Sequence, residues 1–229
     1  MRPMQTTAAA RNNAEWCAAM CRAHGLAPGT FTDRAWTSAD RTPPYYPDAV
    51  SLAPDAGPDD VLTGVDTTPG CSVKDSFATL DLTDHGFTVL FDAQWIHRPA
   101  GLPVSRPTPW QPVRTPAALA DWEAAWSDGE PMDLFRPGLL DTPGTYVLAG
   151  HDADGAVTGG AVVTHAAGAV GVSNLFGPPD EAWPAVLAFA AERWPGTPVV
   201  GYEHGDDLAA ALRHGFAPAG PLRIWLAQG

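Results

Sequence analysis

The chain has 229 residues, enough to bury a substantial core as one large domain or two small ones, and its 45% hydrophobic content with nine tryptophans weighs against disorder. Twenty-six acidic against 13 basic side chains give a formal charge of −13, and Lys74 is the single lysine. With no Lys/Arg cluster to grip a phosphate backbone, nucleic acids and anionic membranes are set aside as partners, and the acidic surface suits a cationic or amine ligand at most.

The first predicted element is a helix from about Asn12 to His24, with Trp16, Met20, Cys17 and Cys21 on one side. The three cysteines, at 17, 21 and 71, cannot all pair and form no Cys-x-x-Cys; the two on the helix read as small buried apolar residues, as suits a reducing cytoplasm. The sequence MRPMQTTAAARNNAEW has no apolar leader core, and no run approaches the ~18 apolar residues of a membrane span, so a soluble cytoplasmic protein is expected. A long irregular stretch follows, in which only 48–53 (DAVSLA) has strand character. Its aromatics Trp36, Tyr45 and Tyr46 either line a ligand site or anchor the loop to a core. Residues 72–82 (SVKDSFATLDL) fit the start of a helix, and 87–96 (FTVLFDAQWI) a strand.

A proline-rich segment at 98–112 has linker composition and divides the chain near 105. Beyond it, Pro116–Trp126 reads as a helix, with Leu119, Trp122 and Trp126 at helical spacing. TYVLAGHD and AVTGGAVVTHAAG form a hairpin about a two-residue Asp154-Gly155 turn. AVGVSNLF is a further strand, followed by a helix from about Asp180 to Trp194 and the buried strand in PGTPVVGYE. DDLAAALRH is a short helix closed by Gly215, and PLRIWLAQ the last strand.

This order resembles the GNAT superfamily of acyl-CoA-dependent N-acetyltransferases over about 115 residues, most specifically in GYEHGDDLAAALRHGFAPAGPLRIWL. The resemblance implies an α/β (α+β) fold, a GNAT-like mixed central sheet flanked by helices at 106–229, preceded by a smaller N-terminal α/β unit at 1–105. It implies acyl transfer from acetyl-CoA or another acyl-CoA to an amine of a small molecule, with no metal. In that family the loop opening the helix after the fourth strand cradles the CoA pyrophosphate on backbone N–H groups. Here Phe176, Gly177, Pro178, Pro179, Asp180 and Glu181 stand in its place, with two prolines lacking N–H donors and two carboxylates able to cap the helix themselves. The family's usual tyrosine is replaced by Ala211, and the frequent strand carboxylate by Ser173 and Asn174.

The candidate catalytic residues are therefore Glu203, His204 and Tyr202, at the carboxyl end of a strand where α/β sheets bind ligands; Glu203 and His204 also suit a plain helix entry. Ser173, Asn174, Leu175, Phe176 and Gly177 are the candidate substrate- or cofactor-binding residues. Two alternatives stay open: a lost CoA site serving another donor or reaction, or a non-catalytic binding module. Aminoacyl-tRNA and acyl carrier protein are disfavoured as donors by the negative charge. His85-Gly86-Phe87 echoes His214-Gly215-Phe216, each followed by a strand reaching a tryptophan, so residues 1–105 fit either a degenerate second copy or a chance match of three residues. Lys74, Asp75, Asp92 and His97 would then join the candidates. The seven histidines are dispersed without His-x-x-x-His spacing, which points away from a metal site.

Overall fold

The computed structural model describes residues 2–105 and 108–229; Arg106 and Pro107, inside the expected linker, lie outside the described residues. The chain divides into two compact units, Met1–Trp95 with Pro218–Gly229, and Ile96–Ala217. In chain order the elements are α1 (Arg2–Ala23), β1 (Thr30–Phe31), β2 (Ala35–Thr37), β3 (Ala49–Ser51), α2 (Pro58–Leu62), β4 (Ser72–Asp75), a 3-10 turn (Thr83–His85) and β5 (Phe87–Arg98). They continue with β6 (Gln111–Pro112), α3 (Pro116–Trp126), a 3-10 turn (Pro137–Asp141), β7 (Thr145–His151), β8 (Val157–Ala166), β9 (Ala169–Phe176), α4 (Pro179–Arg193), β10 (Val199–Glu203), α5 (Gly205–Arg213) and β11 (Ala217–Ala227).

In the first unit the strand order is β1-β2-β3-β4-β11-β5. The first three strands are antiparallel, β3 and β4 are parallel through Ala49↔Val73 and Val50↔Lys74 alone, and β4 runs antiparallel to β11. Residues 72–82 begin as strand, not the expected helix. Val73 enters a core with Val61, Leu80 and Trp225, while Lys74 on the opposite face is also buried, its Nζ donating to Asn13 Oδ1 at 2.7 Å and standing 6.0 Å from the Trp95 ring. Burial on both faces removes the alternation of polarity by which a strand is recognised. The first helix starts ten residues earlier than its periodicity predicts, because its N-terminal half buries small alanines, Ala9, Ala10 and Ala14, rather than large side chains.

The irregular stretch is clasped by Asp48, whose buried carboxylate accepts from Thr42 N (2.9 Å), Thr42 Oγ1 (3.1 Å), Ser72 N (2.9 Å) and Arg41 Nη1 (3.2 Å). Trp36 is fully buried and donates Nε1 to Pro28 O, and Tyr46 meets Trp16 edge to face at 5.9 Å. These two aromatics are therefore loop anchors, while Tyr45 is exposed. Cys17, Cys21 and Cys71 are buried and unbridged, as read from their spacing; burial pushes the Cys17 and Cys71 thiols up to about 12.

In the second unit the order is β6-β7-β8-β9-β10, antiparallel except for β9 and β10, with Ile96 at the end of β5 packed against Gly201. The glycine pair on β8 lets a tryptophan pack closely on each face of the strand, Trp110 from the segment before β6 and Trp122 from α3. A Cβ on Gly159 would lie 2.9 Å from the Trp110 ring, and one on Gly160 would lie 2.1 Å from Trp122 Nε1. Successive strand residues face opposite ways, so each glycine seats one tryptophan, and Trp122 completes its seat by donating Nε1 to Leu148 O at 2.8 Å. The β7–β8 turn is wider than the expected two residues: Asp152 Oδ1 accepts from Asp154 N and Ala156 N, and only Gly155 is left-handed (φ 86°).

The two units share one order: antiparallel strands, a parallel pair bracketing a helix, then a helical element and His-Gly-Phe, the helical element being a three-residue 3-10 turn in the first unit and the nine-residue α5 in the second. Both His-Gly-Phe turns bond alike. His85 N, Gly86 N and Phe87 N donate to Leu82 O, Thr83 O and Leu82 O; His214 N, Gly215 N and Phe216 N donate to Ala211 O, Leu212 O and Ala211 O. Gly86 and Gly215 are left-handed (φ 81° and 87°), and both phenylalanines are buried.

Candidate functional site

The site begins where β9 and β10 part. The strands pair at Val170↔Val199 and Gly171↔Val200, and among the described residues their register goes no further. On its other side β9 bulges: Ser173 pairs with Val162 but Phe176 with Gly160, so three steps of β9 answer two of β8. Asn174 takes the left-handed conformation (φ 53°) within that bulge, which bends the outer end of β9 and re-aims its side chains.

Ser173, Asn174, Leu175 and Phe176 are half-buried along this outer end. Phe176 is turned into the core, meeting Trp122 edge to face at 5.3 Å. Gly177 is required by close approach, since a Cβ there would lie 2.8 Å from Gly159 Cα and Thr158 O, and its φ is 96°. Across the divergence, Tyr202 and Glu203 are half-buried at the end of β10, and His204 is exposed at the N-cap of α5. Burial, with Asp207 adding like charge, pushes the Glu203 carboxyl up to about 8. A carboxyl of that kind exchanges protons near neutrality, which a solvated acid does not. Ala211, where the family's tyrosine commonly stands, is fully buried in the core of the unit.

The β9–α4 junction is occupied by the protein itself. Pro178 is the N-cap and Pro179 the first helical residue, and Glu181 N and Ala182 N both donate to Pro178 O at 2.9 Å. Both carboxylates stand in the first turn of α4, facing the positive end of its dipole as expected. Asp180 also reaches to the end of α5, with Oδ1 3.3 Å from His214 Nε2 and 3.6 Å from Arg213 Nη2. Arg213 and His214 at the end of α5 thus face a carboxylate of the junction, and two of the junction's amide donors are absent as prolines. The residues present do not fit a pyrophosphate.

Asp75 and Asp92 have partners within the first unit. Asp75 accepts from Leu80 N (2.8 Å) and Phe77 N (3.2 Å), and Asp92 pairs with Arg223 at 2.8 Å. His97 is half-buried, and burial lowers its pKa. Where β3 and β4 part in the first unit, Ser51 Oγ accepts from Ser76 N at 2.8 Å and Trp95 Nε1 donates to Ser76 O at 2.8 Å, closing that divergence. Among the described residues there is no His/Cys/Asp/Glu group able to hold a metal, and no helix long and apolar enough to cross a membrane.

No family model and no curated protein matches the chain. Solved structures do. A GCN5-related N-acetyltransferase from Kribbella flavida superposes with a TM-score of 0.63 at 17% identity over 96% of both chains. A protein assigned to the GNAT family of acetyltransferases from Novosphingobium aromaticivorans gives 0.59 at 14% identity, over 95% of this chain and 98% of that one. A conserved protein of unknown function from Staphylococcus epidermidis gives 0.55 at 10% identity, over 71% and 74%. Along nearly its whole length, this chain has the fold of the GCN5-related N-acetyltransferases.

Proposed function

We propose that the second unit is an acyltransferase that moves an acyl group from a thioester donor to the amine of a small molecule. The observation that carries this reading is the early parting of β9 and β10 at a left-handed bulge, with the proton-exchanging Glu203 at the opening. In this reading the donor's thioester arm lies between the diverging strands, and backbone N–H groups along the outer end of β9 polarise its carbonyl. The amine nitrogen attacks the carbonyl carbon, the C–N bond forms, the C–S bond breaks and the thiolate leaves. The Glu203 carboxylate takes the amine proton and returns it to the thiolate through water. Tyr202 and His204 border the same opening and orient the acceptor.

The closed β9–α4 junction favours a donor gripped by its pantetheine arm and not by its nucleotide end. The test is acyl transfer from acetyl-CoA and from acetyl-pantetheine to a panel of primary amines, with and without Glu203→Gln. Comparable kcat/KM for the two donors, lost in the variant, is expected. No transfer from either donor at about millimolar concentration removes the reading. We further infer that the first unit is a reduced second copy, supported by the repeated element order and the matching His-Gly-Phe turns.

A further inference from the structure

Helix α4 presents two apolar stripes. Trp183, Val186, Leu187 and Ala190 enter the core of the second unit, while Ala185, Ala188 and Phe189 line a cavity of about 420 Å³ whose opposite wall is formed by residues 109–112. None of Ser173, Asn174, Tyr202 or Glu203 lines it, so it is separate from the parting of β9 and β10.

The walls are fixed by contacts outside the cavity. Trp110 is seated on glycine, since a Cβ on Gly150 would lie 2.1 Å from its Nε1 and one on Gly159 would lie 2.9 Å from its Cζ2. Arg193, at the cavity's exposed end, is braced by donating Nε and Nη2 to Tyr146 Oη at 3.2 and 3.1 Å, with Trp194 5.8 Å from its guanidinium. Two of its five N–H groups are used in this way. Glu192 lies beside it on the same rim. On the helix side Ala185 and Ala188 are the small lining residues, so a larger side chain at 188 is expected to take up cavity space.

We propose that this cavity binds a small aromatic α-amino acid. Its volume lies in the range of small-molecule sites, the Trp110 and Phe189 rings and flanking prolines accept a flat apolar group, and its rim offers one acid and one base side by side. That pairing matches a zwitterion, with carboxylate on Arg193 and ammonium on Glu192. The site does not depend on acyl transfer and stands or falls apart from it.

The experiment is calorimetric titration of the full chain with L-phenylalanine, 3-phenylpropionate and 2-phenylethylamine. L-phenylalanine is expected to bind tightest. Arg193→Gln should weaken it and 3-phenylpropionate about tenfold while sparing 2-phenylethylamine, and Glu192→Gln should weaken it and 2-phenylethylamine about tenfold while sparing 3-phenylpropionate. Ala188→Phe, checked for folding by circular dichroism, should abolish all three. No binding of L-phenylalanine at about 10 mM, binding that survives Ala188→Phe, or equal losses for all three probes in both charge variants would each overturn the proposal.

Discussion

Glu203 concentrates what single residues contribute. Its carboxyl is held at about 8 against an ordinary 4.5, so between those values the folded state keeps a proton that the unfolded chain has released. Stability therefore falls as pH rises through that window, and Glu203→Gln should flatten this part of the curve, which thermal melts from about pH 4 to 9 will read. Catalysis runs the other way: transfer should rise with pH toward a plateau above about 8, and the variant should lose both the rise and most of the rate. Gly160 makes a packing prediction. Its alanine variant drives a Cβ into Trp122 Nε1 and the bond to Leu148 O, at a cost of about 1–3 kcal/mol in urea denaturation. Glu203 was legible as a carboxylate at a strand end, whereas its burial is a property of the folded unit that sequence spacing does not show. The packing of Phe176 on Trp122 at 5.3 Å is likewise a tertiary contact that the sequence does not show.

At the scale of elements, the longer helices and strands of the second unit were readable, whereas the short helix α2 and most of the shortest strands were not. Gly215 after an Ala/Leu helix, Pro116 at a helix start and the continuous apolar run of β10 each state a local preference, and the structure follows them. Strands β1, β2 and β6 are two or three residues long and exist only because neighbouring strands complete their ladders, so no sequence window contains them. The β9–α4 junction reads partly in sequence: two missing donors are visible in Pro178 and Pro179, but not that Asp180 turns to His214. Restoring the donors with Pro178→Gly and Pro179→Ala, together with Asp180→Ala, should tighten free CoA about tenfold by calorimetry. Unchanged affinity would mean that the junction does not set donor preference.

Over the whole molecule, the C-terminal strand belongs to the first unit, where Trp225 and Ala227 complete a core with Val61, Val73 and Phe87. Removing residues 218–229 should therefore strip hydrogen-exchange protection from α1 and β4, while the amides of β7 to β9 stay protected. No composition or periodicity assigns a terminal strand to the opposite end of the chain, so this pairing could not be read in advance. The central claim is that the parting of β9 and β10 receives a thioester arm. Amide chemical-shift mapping with acetyl-pantetheine tests it most directly: perturbations should concentrate at 173–176 and 201–204. Saturating ligand that leaves those amides unmoved, or moves only others, would contradict the account.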